Sequence, residues 1–445
     1  MFNAEIETMP RESLRALQNK RLHNIMDYMY HQIPYYRETL DRAGIKPDAI
    51  RSVEDLSKLP FTKKQTLRDY YPFGMLAVPR ESLMRIHASS GTTGKPTVVC
   101  YTPNDIDVFA EVNARSLAAA GAKRGMILHN AYGYGLFTGG LGIHYGGERL
   151  GMTVVPVSGG ATQRQVTLIL DFKPEVICCT PSYAQTLGEE FKKRGISPQE
   201  ISLKVGLLGA EPWTETIREA VEASLGIAAT NIYGLSEVIG PGVSQECIEA
   251  RAGSHIWEDH FYPEVVDPNT GEPLPDGKEG VLVFTHLTRE AMPLLRYWTG
   301  DITYLTRDVC VCGRTHVRMG AIRGRADDML IVRGVNLYPT QVEEILKGIP
   351  EVAPHYQLVV KRVGLLDEVE VSVELTDEIF RGIAQDVITD DVIAADHAMH
   401  TLRNKIEFLI KDTIGLNLVV TLVPPGTVPR SEGGKLRRVE DKRNL

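Results

Sequence analysis

The segment Ser89-Ser90-Gly91-Thr92-Thr93-Gly94-Lys95-Pro96 holds the parts of an anion cradle: hydroxyls, glycines that let backbone N–H groups come close, and one lysine. It is not a Walker A loop, because two residues rather than four separate Gly91 from Gly94 and a proline follows the lysine. Nor is there a dinucleotide fingerprint, since Gly133 and Gly135 are followed by Thr138 where a third glycine would stand. Five more segments carry groups suited to phosphate, sugar or base. They are Gly209-Ala210-Glu211-Pro212, Tyr233-Gly234-Leu235-Ser236-Glu237, Arg296-Tyr297-Trp298-Thr299-Gly300-Asp301, Gly324-Arg325-Ala326-Asp327-Asp328, and Pro429-Arg430-Ser431-Glu432-Gly433-Gly434-Lys435. A Tyr-Gly turn or a Gly-Asp pair is ordinarily just a strand end. The weight lies in all of them occurring in one chain and in this order.

The six cysteines, Cys100, Cys178, Cys179, Cys247, Cys310 and Cys312, are too sparse for a disulfide scaffold, so thiols are the expectation. Cys310 and Cys312 flank one valine, and Cys247 and His255 stand in a separate loop. Three thiolates and an imidazole suit a closed, structural Zn²⁺ site, with His260 or His316 as alternatives to His255.

Short apolar runs at 153–157, 175–180 and 203–208 alternate with helical stretches at 181–194 and 214–224, so the reactive segments fall at strand ends of an α/β sheet. Before them, residues 11–70 read as polar helices punctuated by Pro34, Pro47 and Pro60. Residues 260–320 are rich in strands and turns. Past Arg325 a new pattern begins: MLIVRG, the helix PTQVEEILKGI, strands HYQLVVKR and EVEVSVELT, a helix over 398–413, the strand LNLVVTLV and a polar tail. The expected architecture is α/β, with a large N-terminal domain of mixed sheets and helices over 1–327 and a small mobile α+β C-terminal domain over 328–445.

The 445 residues are 43% hydrophobic and 24% charged, ordinary for a globular chain with sizeable cores. A net charge of -8, from 49 Lys+Arg against 57 Asp+Glu, argues against a nucleic-acid partner. No apolar run approaches the roughly 18 residues of a membrane span. The start MFNAEIETMPRES lacks the basic and apolar regions of a signal peptide, so the expected location is cytoplasmic.

Taken together, the ordered segments resemble the adenylate-forming superfamily of acyl-CoA synthetases along essentially the whole chain. Within it the likeness is to phenylacetate–CoA ligases, through AYGYGLFTGGLG (131–142), NIYGLSEVIGPGVSQEC (231–247) and RGVNLYPTQVEEIL (333–346). The resemblance implies two half-reactions. A carboxylate first attacks the α-phosphate of ATP, giving an acyl-adenylate and pyrophosphate; the thiol of CoA then displaces AMP. It also implies roles by position. Glu237 would hold Mg²⁺. Ser90, Gly91, Thr92, Thr93, Gly94 and Lys95 would hold pyrophosphate. Gly209, Ala210, Glu211, Pro212, Tyr233 and Gly234 would line the adenine pocket, with Ser236 by the α-phosphate. Asp301, assisted by Arg325, would take the ribose hydroxyls.

Lys435 would swing in to contact the carboxylate and α-phosphate, and Asp327 would be the hinge whose rotation exchanges Lys435 for the Gly334-Val335-Asn336 loop at a CoA tunnel. Tyr132 and Phe137, with Ala210, match the aryl pocket; Tyr134 and His144 lie in the same stretch. Some relatives carry zinc at the cysteine cluster, and related ligases imply a homodimer. Two positions depart from the family: Trp298 stands where arginine is usual, and Asn336 where some members have a basic residue. The remaining readings are a ligase for another aryl or acyl acid or another acceptor, and a nucleotide-binding sensor. The sensor predicts damage at Lys95, Glu237, Asp301 or Lys435, and all four are present.

Overall fold

The structure, a computed structural model, describes residues 1–89, 96–326, 330–332, 335–337, 339–363, 366–382, 396–430 and 438–442. Its centre is a nine-stranded sheet, counted among the described residues. Thr153–Val155, Ile127–Asn130, Val176–Cys179, Val205–Gly209 and Ala228–Leu235 lie side by side and parallel. Gly240–Glu246, Ser254–Ile256, Arg318–Met319 and Leu305–Thr306 then extend the sheet antiparallel. Val176–Cys179 and Val205–Gly209 are buried at every position, which is why they read as continuous apolar runs: helices cover both faces of a parallel sheet.

One covering helix is Pro181–Lys193, started by the Thr180 hydroxyl, which accepts from the Tyr183 N–H, and by proline at its first position. Leu187 and Phe191 on this helix and Val221 and Leu225 on Glu215–Leu225 share one apolar cluster with Ile177 and Leu208. Fully burying a side chain of that size is worth about 1.5–3 kcal/mol. The helix Pro103–Ala119 is fixed by a capping box between Thr102 and Asp105. The glycine-rich helix Gly139–Leu150 lies against it so closely that a Cβ at Gly146 would collide with Asn113.

A second, antiparallel sheet runs Phe261–Val266, Gly280–His286, Tyr297–Thr303 and Gly324–Arg325. Thr62 attaches alongside Tyr297–Thr303: its N–H donates to the Arg296 carbonyl (3.1 Å), and its carbonyl accepts from the Trp298 N–H (2.9 Å). Buried charges tie the N-terminal helix Arg11–Gln32 to this body. Arg11 pairs with Glu258 and Arg21 with Asp259, and Arg314 pairs with Glu7 at the end of the short preceding helix Ala4–Glu7.

The small α+β unit follows, with a sheet ordered Val419–Val423, Leu366–Leu375, Val352–Val363 and Val439–Asp441. The helices Pro339–Lys347 and His397–Ile414 share its separate apolar core. The expected polar tail thus contains a strand: Val439–Asp441 pairs parallel with Val352–Val363. It is a three-residue edge strand whose Val439 is half-buried and whose Glu440 and Asp441 are exposed, so it carries no apolar run to read.

Candidate active site

Asp301 sits on Tyr297–Thr303 and is nearly buried. Its Oδ2 accepts from the Tyr233 hydroxyl at 2.6 Å and its Oδ1 from Arg325 Nη1 at 2.9 Å, while Arg325 Nη2 also donates to the Thr299 carbonyl. Tyr233 and Asp301 belong to different sheets, so this bond stitches the two sheets together at one point. Burial, and then the Asp301 carboxylate, push the Tyr233 phenol well above its ordinary range, so it remains a donor. The result is a carboxylate with fixed partners beside a tyrosine ring, which is the equipment for vicinal hydroxyls and a flat base. Tyr233 can reach it because the next residue has no side chain: a Cβ at Gly234 would overlap the Gly240 carbonyl oxygen.

Three residues on, Glu237 lies buried at the turn between Ala228–Leu235 and Gly240–Glu246. Lys64 Nζ stands 3.3 Å from its Oε1. Beneath is the buried phenol of Tyr297, raised far above its usual range by burial and then by Glu237; it stays protonated and can donate toward that carboxylate. The Ser236 hydroxyl lies 3.2 Å from that of Thr138. Lys64 was not singled out by the sequence. What delivers it is the Thr62 pairing described above, together with Phe61 packed edge-on against Trp298 and Lys63 over the same indole at 5.7 Å. At position 298 the chain thus carries a tryptophan with the Lys63 ammonium over its ring, while Lys64, next in sequence, reaches Glu237.

Gly209 ends the central strand Val205–Gly209 and Ala210 follows it with a positive φ of 70°, a strained conformation of the kind stored at binding sites. Glu211 Oε1 accepts from the Ser182 N–H at 2.7 Å, at the positive end of the helix Pro181–Lys193. Its Oε1 is thus engaged by the fold, and Gly209 lies opposite Ile232, next to Tyr233, in the central sheet.

The aromatic residues of 131–142 divide. Tyr132 is buried in an apolar cluster with Cys178, Ile143 and Ile232, with Ala210 packed against that cluster, and among the described residues its hydroxyl has no partner within hydrogen-bond limits. Tyr134 is held by polar contacts instead: its hydroxyl accepts from Asn130 Nδ2 at 2.7 Å and meets His144 Nδ1 at 3.1 Å. Phe137 lies at the surface, 38% exposed.

Cys247, His255, Cys310 and Cys312 converge, their ligand atoms all within 4.8 Å of one another. His255 points Nε2 at Cys312 Sγ (3.4 Å) because its Nδ1 is engaged with the His316 carbonyl (3.2 Å), the arrangement that fixes a ligating imidazole. A hydrogen bond with Cys247 and the neighbouring His255 hold the Cys312 thiol far below its usual range, whereas Cys247 is pushed up by Cys312 and by burial. His316 spends its nitrogens on Ile6, Ile256 and Glu258, and His260 faces Thr288 and Asp259, so His255 is the imidazole of the cluster. The phosphate-loop residues Ser90, Gly91, Thr92, Thr93, Gly94 and Lys95 lie outside the described residues, as do Asp327, Gly334 and Lys435. The strands flanking that loop, Arg85–Ser89 and Thr97–Tyr101, pair antiparallel up to Ser89 opposite Thr97.

The family profile described as AMP-binding enzyme matches residues 37–288, and that of the AMP-binding enzyme C-terminal domain matches 334–443. The chain belongs to the AMP-binding enzyme family. As a member, it is 68% identical over 443 residues to the phenylacetate-coenzyme A ligase of Thermus thermophilus, covering 100% of both chains. It is 51% identical over 441 residues to that of Escherichia coli, covering 99% of this chain and 97% of the other. Among solved structures, this AMP-binding enzyme matches a 2-hydroxyisobutyryl-CoA ligase in the postadenylation state with a TM-score of 0.89 at 29% identity, over 98% and 91% of the two chains. Against the same ligase in the thioesterification state the TM-score is 0.72 at 29% identity, over 99% and 92%.

Proposed function

We infer that this AMP-binding enzyme is an AMP-forming acid–thiol ligase that converts phenylacetate to its CoA thioester through an acyl-adenylate, releasing AMP and pyrophosphate. The observation that carries the reading is the match to phenylacetate-coenzyme A ligases, 50–68% identical over essentially their full length. The Tyr233–Asp301–Arg325 unit is equipment suited to the AMP half of that chemistry. Assembling the adenylate brings a carboxylate onto a phosphate, so the protein's main task is charge neutralisation and alignment.

Asp301 would orient the ribose hydroxyls, Tyr233 would face the adenine, and Ser236 would reach the α-phosphate. Ser90, Thr92, Thr93 and Lys95 would hold the departing pyrophosphate. Mg²⁺, when bound at Glu237, supplies charge neutralisation at the phosphates, and a carboxylate oxygen is the donor it prefers. Lys64 pairs with Glu237; where Glu237 holds Mg²⁺, the Lys64 ammonium would turn to the β- and γ-phosphates. Lys435 would then stabilise the charge building between carboxylate and α-phosphate. Tyr132 and Ala210, with Phe137 at the rim, would receive the aryl ring; the apolar walls around Tyr132 and the small residue facing it support this, since offset ring packing needs both.

The domain boundary would fall at Asp327, between the two matched family segments, giving domains 1–327 and 328–445. The donor set of Cys247, His255, Cys310 and Cys312 fits Zn²⁺, which would staple the two loops it joins and take no part in the reaction. About one zinc per chain by elemental analysis is expected; a folded, active, zinc-free protein would remove that assignment. Among the described residues no helix is long and apolar enough to cross a membrane. Dependence on ATP and CoA favours the cytoplasm, and a homodimer is tested by light scattering.

The decisive experiment is thioester formation with ATP, Mg²⁺ and CoA across phenylacetate, hydroxyphenylacetate, indoleacetate, benzoate and fatty acids. Preference for phenylacetate is expected. Activity confined to a non-aromatic acid would keep the mechanism and discard the aryl pocket.

A further inference from the structure

We propose that Glu189 is a positioning residue for the adenylation half-reaction: its carboxylate clasps two separate groups of the small domain and holds that domain in the orientation in which the acyl-adenylate forms. Glu189 lies on the helix Pro181–Lys193 of the large domain. Its Oε1 is 3.1 Å from His355 Nε2, and its Oε2 is 3.8 Å from Arg430 Nε. His355 stands on the strand Val352–Val363 and Arg430 follows the strand Val419–Val423, so one carboxylate reads two parts of the small domain that only the folded domain brings together.

The small domain presents those groups already oriented. Arg430 is forked onto Glu374 with both nitrogens at 2.8 Å, and buried Glu374 also accepts from the Gly426 and Val428 N–H groups. Its guanidinium is thus fixed before Glu189 meets it, and little side-chain entropy is lost on engagement. Arg430 stands five positions before Lys435 in the sequence, so what fixes Arg430 shortens the tether of the lysine assigned to adenylation.

The arrangement containing this contact overlays on the postadenylation state of the related ligase with a TM-score of 0.89, and on its thioesterification and open states with 0.72. A rotation that carries Lys435 away would carry Arg430 and His355 from a carboxylate that stays with the large domain. Lys193, one turn along the same helix, is a further cation near Glu189 on its own side and leaves with neither partner.

This inference rests on the reading of two half-reactions, and the experiment separates the two. In the full-length protein, ATP–pyrophosphate exchange with phenylacetate reports adenylation, and conversion of supplied phenylacetyl-adenylate with CoA reports thioesterification. Glu189→Gln, at a half-exposed position with thermal melting as the check on folding, is expected to slow exchange about two- to fivefold, as for a partly exposed ion pair. Thioesterification should be unchanged or faster, because a loosened clasp favours the other orientation. His355→Ala should show the same split, and its effect should vanish in the Glu189→Gln background. Equal losses in both half-reactions, no loss in either, or strictly additive effects of the two substitutions would overturn the clasp. Failure of the unsubstituted protein to form phenylacetyl-adenylate would instead overturn the functional reading.

Discussion

Lys64 and Glu237 form a pair in which one member is buried and the other 41% exposed, so the lysine can leave without unfolding anything. A charge-assisted contact to phosphate is worth about 1.5–3 kcal/mol. Lys64→Ala should therefore lower kcat/KM for MgATP by roughly ten- to hundredfold and leave conversion of supplied phenylacetyl-adenylate unaffected, with partial recovery in Lys64→Arg. Steady-state kinetics at varied MgATP would refute the assignment by giving an unchanged value. Lys435→Ala tests the other cation: acyl-adenylate formation should be nearly lost while supplied adenylate is still thioesterified. Equal damage to both steps would mean that the tail lysine serves the fold or both reactions. These two lysines differ in how far the sequence betrayed them. Lys435 stands in a Gly-Gly-Lys context within an ordered motif series. Lys64 is an unremarkable residue in a polar helical stretch, and only the pairing of Thr62 with a strand from the far end of the domain puts it beside Glu237.

Elements built from short apolar runs were legible, since Val176–Cys179 and Val205–Gly209 are buried throughout and leave no polar position to confuse the pattern. Val439–Asp441 was hidden because its pairing partner, not its own residues, makes it a strand. Side-chain destinations were harder still. Glu211 was expected at the adenine and also caps a helix, and Tyr134, alike in type to Tyr132, is spent on Asn130 and His144. The four members of the cysteine–histidine cluster were legible as types, and the choice of His255 over His316 required the fold.

At the same scale, Arg296 locks the 57–62 segment onto the second sheet. It is buried, bidentate to Glu264 (3.0 and 3.1 Å), bonded to the Ser57 and Leu59 carbonyls, and stacked on Phe61. Arg296→Met would leave Glu264 buried and unpaired, costing about 3–5 kcal/mol. Denaturant unfolding should show that loss, and Arg296→Met with Glu264→Leu should recover much of it. No recovery would mean the carbonyl contacts dominate.

Across the whole molecule, buried ionisable groups set the acid limit of stability. His286 donates Nε2–H to the Val238 carbonyl and accepts the Leu294 N–H on Nδ1, so both nitrogens are used by the neutral ring. Burial, then nearby Arg289, push it down to about 3, and His260 is depressed to about 4, chiefly by burial. Both bind a proton less readily folded than unfolded, so their contribution is complete above about pH 6.5 and fades below it. Asp259 and Glu258 follow. Burial opposes their ionisation, but His260 and Arg115 for Asp259, and Arg11 for Glu258, outweigh it and hold both carboxyls low. Their share is lost as pH falls through about 4. The melting temperature should decline from about pH 6.5 and more steeply below 4; a flat profile down to pH 4 would show that the histidines do not report on folding.

The attachment of Thr62 to Tyr297–Thr303 also sets an order of events during synthesis. Thr62 leaves the ribosome long before its partner strand exists, and at 5–20 residues per second the interval is roughly 10–50 s. For most of that interval Lys64 has no Glu237 to meet, and throughout it the rings of Phe61 and Tyr36 lack the strand Tyr297–Thr303 beside them. The segment around Thr62, among the first parts of the chain to be made, thus waits for residues 297–303, and the interval before residue 298 emerges is when a chaperone would have this apolar surface to hold.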